Sequence, residues 1–454
     1  MNRLFILGHY LLAWRRFTGF RDRRGLEAWQ AARLRGHLRT VARRSPFYRA
    51  WFGAGGRGPV EALASWPRVD KALVTRHLGE WLTRPVNLDA ARERTRQAGE
   101  TRDFTRGLPG GVTVGLSSGT TGPATMFFVS ASERAAWAGL ALARTLRRPS
   151  LRRPERIAFF LRANSPLYET LGSRAVRFVY FDLLQPIGGL LEALERLDPT
   201  TVVAPPGALR LLAEAKRAGR LRVSPRQIVS VAEVLDADDR AAVEEAFAVR
   251  VDEVYQASEG FLAATCPAGA LHWNEDVVKV ERDELGGGRF HPVLTDFRRG
   301  LQPVVRYRLD DVVVDEAADA PPCACGSVFR RIRRVEGRRD DLLRLPGAKG
   351  AEGGTLFPDF VRLAVSVAAG GTLEDFRVRQ VDPGTLAVSL RPEPPSAAAG
   401  ADLLRRLEGT LAADCARAGL RAPACRWLPW SEAVRHDGPK RRRVTGLRVE
   451  EARP

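Results

Sequence analysis

The chain has 454 residues, 44% of them hydrophobic and 28% charged, a balance typical of a globular protein with more than one domain. Its formal net charge is +19, but only five of the 72 basic residues are lysines, so the excess is arginine spread along the whole chain. This distribution argues against specific nucleic-acid binding. Five cysteines without a recognisable signal sequence indicate a reducing, cytoplasmic location and no disulfide framework.

Residues 1–75 are predicted to form a helical segment that packs on a larger domain. Apolar residues recur at helical spacing from Leu26 to Val41. An apolar run over residues 4–14 is only about half as long as a membrane span requires, and no cleavage site of small residues follows it. We therefore expect no transmembrane segment. A helix packed on the body of the protein is favoured over a helix docked at a membrane surface.

Residues 76–340 are predicted to form a large domain. Short apolar runs such as 157–161 and 228–232 alternate with helical stretches, a pattern typical of a mostly parallel sheet with helices on its faces. Residues 341–454 read as a smaller unit with strands and a long helix. The predicted fold class is therefore α/β, with a large N-terminal domain of mostly parallel sheets flanked by helices and a small α+β C-terminal domain.

A loop rich in glycine and hydroxyl residues, Gly115-Leu-Ser-Ser-Gly-Thr-Thr-Gly122, lies within the large domain. Its glycines let the backbone approach an anion closely, so N–H groups and hydroxyls could wrap a phosphate. It differs from the loop of the P-loop nucleotide hydrolases, because Pro123 and Ala124 follow where a lysine would stand. The candidate phosphate-binding residues are Ser117, Ser118, Gly119, Thr120, Thr121 and Gly122.

Four further motifs follow this loop in a fixed order. They are Tyr255-Gln-Ala-Ser-Glu-Gly260, Arg306-Tyr-Arg-Leu-Asp-Asp311, Arg334-Val-Glu-Gly-Arg-Arg-Asp-Asp341 and Gly438-Pro-Lys-Arg-Arg-Arg443. Together with the loop they resemble the adenylate-forming acyl- and aryl-CoA ligase superfamily. The branch they resemble most is that of phenylacetate–CoA ligase and the adenylyltransferases that act on a deazaflavin coenzyme. The resemblance implies that the large domain binds nucleotide and substrate, and that residues 341–454 form a mobile lid.

The resemblance also implies roles for single residues around the nucleotide. The loop would hold the β- and γ-phosphates of ATP. Glu259, which follows Ser258, would hold Mg²⁺, a hard cation that needs oxygen ligands. Tyr255 would flank the adenine, and Ala232 and Glu233 match the loop whose backbone reads the edge of the base.

The ribose and the reacting groups would be held by residues nearer the C-terminus. Asp311 matches the carboxylate that accepts hydrogen bonds from the ribose hydroxyls, with the adjacent Asp310 as the alternative. Arg338 matches the second ribose contact, with Arg339 as the alternative. Lys440 would neutralise the α-phosphate and the substrate carboxylate, a role that suits a compact point charge. In a chain with only five lysines among 72 basic residues, the bias towards arginine would favour arginine at this position, so a lysine here points to a specific role.

Four residues form a candidate metal site. Cys266 and His272, with Cys323 and Cys325 further along the chain, offer three thiolates and one imidazole, a set suited to structural Zn²⁺. The phenylacetate–CoA ligase branch carries cysteine and histidine at matching places. Such an ion would connect two loops near the nucleotide pocket. The alternative is a group of free buried thiols.

The predicted function is ATP-dependent adenylation of a carboxylic acid, of the aryl or arylacetic class, with release of pyrophosphate and then thioester formation with coenzyme A. The expected cofactors are ATP, Mg²⁺, coenzyme A and structural Zn²⁺. The expected partners are a small-molecule acid and an acceptor, with the chain a monomer or homodimer. Two alternatives stay open: AMP transfer to a phenolic hydroxyl of a deazaflavin-type coenzyme, and a non-catalytic nucleotide-binding scaffold.

Overall fold

A computed structural model describes most of the chain as two compact units. The described residues are 3–53, 58–101, 103–116, 125–146, 154–161, 164–182, 187–317, 319–338, 343–348, 353–356, 358–369, 375–431 and 443–447. Of these, the first unit takes the residues up to 309 and 314–334, and the second takes 310–313 and those from 335 onward. The domain boundary predicted at 340/341 falls outside the described residues and stays a prediction.

The strands of the first part of the chain form one hairpin and one large sheet. The hairpin consists of β1 (Thr113–Leu116) and β2 (Met126–Val129). The strands of the large sheet are β3 (Glu155–Leu161), β4 (Val176–Asp182), β5 (Thr201–Ala204), β6 (Gln227–Ser230), β7 (Val251–Ala257), β8 (Gly260–Thr265), β9 (Leu271–Trp273), β10 (Val278–Gly286), β11 (Arg289–Asp296), β12 (Tyr307–Arg308), β13 (Asp311–Asp315) and β14 (Arg331–Arg338).

The large sheet has twelve strands in the order β10-β11-β13-β14-β9-β8-β7-β6-β5-β3-β4, with β12 paired to β11. From β4 to β7 the neighbouring strands are parallel. From β7 through β8 and β9 to β14, and between β10 and β11, they are antiparallel. The parallel strands β5 and β6 are buried almost throughout, as expected where both faces of a sheet are covered.

Helices cover the sheet and the hairpin. They are α1 (Arg3–Gly19), α2 (Arg23–Arg44), α3 (Pro46–Gly53), α4 (Lys71–Arg76), α5 (Leu78–Trp81), α6 (Leu88–Thr101), α7 (Ala131–Thr145), α8 (Pro166–Glu169), α9 (Ile187–Leu197), α10 (Pro206–Arg217) and α11 (Ala237–Phe247), with short 3₁₀ helices at Leu63–Ser65 and Pro109–Gly111. None of the helices in the described residues is long and apolar enough to cross a lipid bilayer.

Two groups of buried residues hold the helices in place, one within the segment 46–81 and one between α7 and its neighbours. Tyr48, Trp66 and Trp81 are fully buried. The ring of Tyr48 contacts the other two with tilted planes and centroids 4.6 and 4.9 Å away, so the helical segment 46–81 has its own aromatic core. The buried guanidinium of Arg144 donates to Oδ1 of Asp276 at 2.8 Å and to the backbone oxygen of Ala13. These bonds connect α7, the loop between β9 and β10, and α1.

The second unit is a small α+β structure with its own core. Its strands are β15 (Leu343–Leu345), β16 (Gly354–Leu356), β17 (Asp375–Asp382), β18 (Thr385–Arg391), β19 (Ala424–Trp427) and β20 (Val444–Thr445), and its helices are α12 (Pro358–Ala369) and α13 (Ala397–Arg417). Four strands form a sheet in the order β19-β18-β17-β20. Apolar side chains of this sheet and of both helices form one buried cluster, so this unit buries a core without help from the first.

Candidate active site

A tight turn between β7 and β8 carries Ser258 and Glu259. Ala257 at the end of β7 pairs with Gly260 at the start of β8, so only two residues form the turn. Ser258 donates a hydrogen bond from Oγ to Oε2 of Glu259 at 2.9 Å. Position 260 favours glycine, because a Cβ there would stand 2.8 Å from Oδ2 of Asp296 and one of the two would have to shift. The turn therefore carries the carboxylate of Glu259 next to Gly260, whose backbone packs closely against the side chain of Asp296 at the end of β11.

A cleft with an empty volume of about 400 Å³ lies beside this turn, and residues of β2 form part of its lining. In the β1–β2 hairpin Leu116 lies opposite Met126, so both ends of the connecting segment are at one place. That segment contains the predicted phosphate-binding residues 117–122, which lie outside the described residues. Thr125 and Met126, at its far end, line the cleft together with Glu259, and Lys71 adds a positive charge to the lining.

The segment between β11 and β12 holds the two hairpins together. Arg299 donates to the backbone oxygen of Ser258 at 2.7 Å and to that of Phe128 at 3.2 Å. Oε1 of Gln302 accepts a hydrogen bond from the backbone N–H of Phe128 at 2.8 Å. Arg299 is only 8% exposed, so both of its bonds form where the local dielectric is low and such bonds are strong. We call Arg299 and Gln302 the clamp, since they fix the Glu259 turn relative to β2.

Glu133 anchors the same segment to α7. Its carboxylate accepts hydrogen bonds from the backbone N–H groups of Gly300 at 2.5 Å, Leu301 at 2.8 Å and Ser130 at 2.6 Å. The bond from Ser130 is half of a capping box at the start of α7. The sequence pattern could have revealed this cap, but the bonds of Glu133 and of the clamp to distant strands have no signature in the motif spacing.

Asp296 is a buried acid behind the turn. Its backbone N–H donates to the oxygen of Val304 at 3.0 Å, and its Oδ1 accepts from the N–H of Arg298 at 2.7 Å. Burial raises the pKa of Asp296 to about 6, although that hydrogen bond and the charge of Arg299 act in the opposite direction. The folded chain therefore holds this proton more tightly than an exposed aspartate would.

The residues predicted to contact adenine lie at one edge of the parallel half of the sheet. Ala232 and Glu233 follow β6, and Tyr255 lies near the end of β7, the parallel neighbour of β6. Carboxyl ends of parallel strands meet at the same edge, where open α/β sheets bind ligands, and this edge also carries the Glu259 turn. Ala232 has φ of +69°, which is uncommon for a residue with a Cβ and is often found at functional sites. The ring of Tyr255 contacts Trp273 edge to face, with centroids 5.8 Å apart.

The structure places the remaining predicted nucleotide contacts only in part. Asp311 is the first residue of β13, directly after Asp310, and Arg338 is the last residue of β14. Arg339 and Lys440 lie outside the described residues. The roles predicted for these five residues stay predictions.

The two arginines of the Arg306-Tyr-Arg308 motif form ion pairs with β10. Nε and Nη2 of Arg306 donate to the carboxylate of Glu281 at 3.1 and 3.0 Å. Nε of Arg308 donates to Oδ2 of Asp283 at 2.7 Å. Arg306 also has φ of +47°, so the chain turns sharply just before β12. These arginines attach the start of the motif to the antiparallel half of the sheet.

The four predicted zinc ligands lie together in the first unit. The ligand atoms of Cys266, His272, Cys323 and Cys325 are all within 4.8 Å of one another. Cys266 and Cys323 are each the first residue of a turn whose last residue is glycine. The backbone N–H of Gly269 donates to the backbone oxygen of Cys266 at 2.9 Å, and that of Gly326 donates to the backbone oxygen of Cys323 at 3.0 Å. Both glycines have positive φ, a conformation that other residues adopt only with strain.

The distances within this cluster fit a tetrahedral zinc ion. Ligands about 2.3 Å (sulfur) and about 2.0 Å (nitrogen) from a tetrahedral Zn²⁺ would be about 3.8 Å apart for two sulfurs and about 3.5 Å apart for sulfur and nitrogen. Sγ of Cys266 lies 3.8 Å from Sγ of Cys323, and Sγ of Cys325 lies 3.5 Å from Nε2 of His272. Nδ1 of His272 lies 2.9 Å from the backbone oxygen of Phe329, so it carries the proton and leaves Nε2 as the ligand atom.

The chain is similar in structure to a CoA ligase and to an acyl acid amido synthetase. It matches a 2-hydroxyisobutyryl-CoA ligase in the postadenylation state, in complex with R3-HIB-AMP, with a TM-score of 0.69 and 19% identity over 96% of this chain and 92% of that chain. An open conformation of that ligase, in complex with 2-HIB-AMP and CoA, gives 0.58 and 18% over 95% and 93%. A GH3.15 acyl acid amido synthetase gives 0.57 and 12% over 96% and 93%.

No protein-family model and no curated protein sequence matches the chain. At these identities the structural similarity shows the fold. It confirms the predicted α/β class, with a large sheet domain flanked by helices and a smaller α+β C-terminal part, which is the fold of adenylate-forming ligases.

Proposed function

We propose that the protein activates a carboxylic acid with ATP. The carboxylate oxygen attacks the α-phosphorus, the bond to the β-phosphate oxygen breaks, and an acyl-adenylate and pyrophosphate form. The observation that carries this proposal is the cleft that Glu259 lines together with Thr125 and Met126, which follow the glycine- and hydroxyl-rich loop. Leu116, which precedes most of that loop, pairs with Met126. A phosphate-binding loop and an acidic side chain for a divalent cation are the parts that this chemistry needs.

Glu259 would hold Mg²⁺ on the ATP phosphates. The donor set fits a hard cation, since Glu259 supplies carboxylate oxygens in the lining of a cleft and Ser258 adds a hydroxyl 2.9 Å away. The ion would neutralise charge on the phosphates. The clamp keeps the carboxylate opposite β2, so Arg299 acts as a positioning residue with both of its donor bonds on backbone oxygens.

The nucleoside and the reacting centre would be held by the remaining predicted residues. The strained backbone at Ala232 and the adjacent Glu233 would face the base, and Tyr255 would flank it. Asp311 and Arg338 would bind the ribose. Lys440 would place its ammonium between the α-phosphate and the carboxylate, which stabilises the negative charge that develops there.

The substrate we propose is an aryl or arylacetic acid. Phe159, Tyr168 and Phe178 form an aromatic cluster between β3, α8 and β4, with ring centroids 4.7 and 5.2 Å apart. Trp137 of α7 joins it at 5.6 Å from Tyr168. An acid bound against these rings would be favoured if it carried a planar ring, since aromatic rings pack offset or edge to face on one another. In a second step the thiol of coenzyme A would attack the acyl carbon and release AMP, giving a thioester.

Zinc would have a structural role in this enzyme. The tetrahedral distances between Cys266, His272, Cys323 and Cys325 support a closed site without an open position for substrate. An ion bound there would join the turn after β8 to the loop before β14. It would therefore stabilise the strand that carries Gly260 and the Glu259 turn.

The experiment is pyrophosphate release from Mg·ATP with the full chain and a panel of aryl, arylacetic and fatty acids. Each acid is tested with and without coenzyme A, and a deazaflavin coenzyme is included as an acceptor. Lys440→Ala and Glu259→Gln should reduce release at least about a hundredfold, the range typical for groups that stabilise a transition state. Lys279→Ala and Glu192→Gln are matched controls outside the cleft and should retain activity.

The outcomes separate the candidate functions. Release that depends on one acid and is lost with Lys440→Ala supports adenylation, and a thioester product identifies coenzyme A as the acceptor. Release only with the deazaflavin coenzyme would replace the ligase proposal by adenylyl transfer to a hydroxyl. ATP binding without turnover on any acid of the panel would contradict the proposed activity and leave a nucleotide-binding scaffold.

A further inference from the structure

Helix α1 lies against α7 at very short range. A Cβ added to Gly139 of α7 would meet the Cβ of His9 at 2.5 Å and the backbone N of Tyr10 at 2.7 Å. Ala13, one turn further along α1, is fully buried, and Phe17 contacts the ring of Phe329 with centroids 5.5 Å apart. This side of α1 is therefore an integral part of the first unit.

The opposite side of α1 is apolar as well. Leu4, Leu7, Leu11 and Trp14 follow one another at steps of three and four residues, so they share one face of the helix, and all four are exposed. Leu4 is 74% and Trp14 60% exposed. Ten large hydrophobic side chains are exposed in the described residues, and six of them belong to α1. These six are the four on this face together with Phe5 and Leu12, which flank it. We call Leu4, Leu7, Leu11 and Trp14 the outer face of α1.

This pattern indicates a surface that something covers. A helix that is apolar all round is normally buried all round, yet the described structure covers only one side of α1. An exposed apolar face with so many large side chains on one helix marks an interaction site. Its location on a helix that is firmly packed against α7 also means that the face is presented by a rigid part of the protein.

The charges around the outer face select the partner. Residues 3–24 contain six arginines and a single acid, Asp22, whose carboxylate accepts the N–H of Gly25 as the cap of α2. The helix α1 itself contains no acidic residue. Arg3, the first residue of α1, and Arg15, next to Trp14, are exposed, as is Arg24 in α2. The outer face consists of leucine and tryptophan side chains with arginines at its border. It is therefore complementary to a partner that offers an apolar region bordered by negative charges.

We propose that the outer face of α1 docks on an anionic lipid bilayer, with the helix lying in the plane of the interface. The leucines and Trp14 would enter the boundary between headgroups and acyl chains, and the arginines would contact lipid phosphates. With 17 residues the helix is about 25 Å long, shorter than the hydrocarbon core of a bilayer. Contact with a second copy is disfavoured, because a symmetric interface would bring the same arginines together.

The test is co-sedimentation of the full chain with lipid vesicles. One set of vesicles contains phosphatidylcholine alone and the other contains about one third phosphatidylglycerol, a composition chosen for its anionic surface. The triple variant Leu7→Gln, Leu11→Gln, Trp14→Gln removes the apolar face, and the double variant Arg3→Gln, Arg15→Gln removes charge. The double variant Leu211→Gln, Leu285→Gln is the control, since both side chains are exposed on other elements.

We expect the wild type and the control to sediment with the anionic vesicles only, with added salt reducing the bound fraction. Both α1 variants should bind at least about tenfold more weakly at an unchanged melting temperature. Wild type that stays in the supernatant, or a triple variant that sediments like wild type, would overturn the proposal. A wild-type dimer that the triple variant converts to a monomer, without vesicle binding, would assign the face to a second copy instead.

Discussion

Gly260→Ala tests the packing that holds the Glu259 turn in place. The added Cβ would stand 2.8 Å from Oδ2 of Asp296, whereas ordinary van der Waals contact begins at 3.4 Å. The carboxylate cannot simply rotate away, because its Oδ1 is bonded to the N–H of Arg298 at 2.7 Å. We therefore expect the turn to move by about half an ångström and the chain to lose about 1–3 kcal/mol of stability, the range for overpacking. Pyrophosphate release should fall about tenfold or more, because Glu259 shifts with the turn.

The assay is urea unfolding of the full chain combined with initial rates of pyrophosphate release. Asp296→Ala removes the atom that the new methyl group would meet, so in that background the same glycine substitution should cost less than about 0.5 kcal/mol. Gly36→Ala in α2 is the control: nothing lies within 4 Å of the added Cβ, and it should stabilise the chain by about 1 kcal/mol. An equal effect of Gly260→Ala with and without Asp296 would refute the reasoning.

Three further predictions concern the same unit. Because burial raises the pKa of Asp296 from 3.8 to about 6, the folded chain binds this proton more tightly than the unfolded chain, and its contribution to stability is lost as the pH rises from about 4 to about 7. The free energy of unfolding of Asp296→Asn minus that of wild type should therefore increase by about 2–3 kcal/mol between pH 4 and pH 7. A difference that does not change with pH would contradict the raised pKa. Cys323→Ser should lower the zinc content from about one ion per chain to near zero and lower the melting temperature, as measured by elemental analysis and calorimetry, whereas Cys425→Ser should leave the zinc content unchanged. Arg299→Met should destabilise the chain by about 2–4 kcal/mol and reduce the turnover rate, because it removes two buried donor bonds to backbone oxygens; an unchanged rate would exclude a positioning role.

The fold class could be predicted because it depends on local patterns. Runs such as 201–204 and 228–230 are short, apolar and bounded by turns, and they form the buried parallel strands β5 and β6. Strand order could not be predicted, since β9 pairs with β14 about sixty residues away. The sheet is parallel from β4 to β7 and antiparallel from β7 through β8 and β9 to β14, a change of direction that periodicity alone does not encode.

Within the candidate site, the grouping of the metal cluster could be predicted from the sequence. The cysteines and the histidine of the metal cluster were recognisable by chemistry, and the fold brings them to within 4.8 Å of one another. The clamp was not recognisable, because Arg299 is one of many arginines and its partners Ser258 and Phe128 are 41 and 171 positions away. Such long-range contacts exist only once the sheet and the hairpin have packed together.

Acid activation by adenylation has one direct signature, the transfer of oxygen from the substrate to AMP. The full chain is incubated with Mg·ATP, coenzyme A and an acid that is labelled with oxygen-18 in its carboxylate, and the products are analysed by mass spectrometry. Because the carboxylate oxygen becomes the bridge of the acyl-adenylate and leaves with AMP, we expect the label in AMP and not in pyrophosphate. Label in inorganic phosphate, or AMP without label despite turnover, would contradict adenylation as the reaction of this protein.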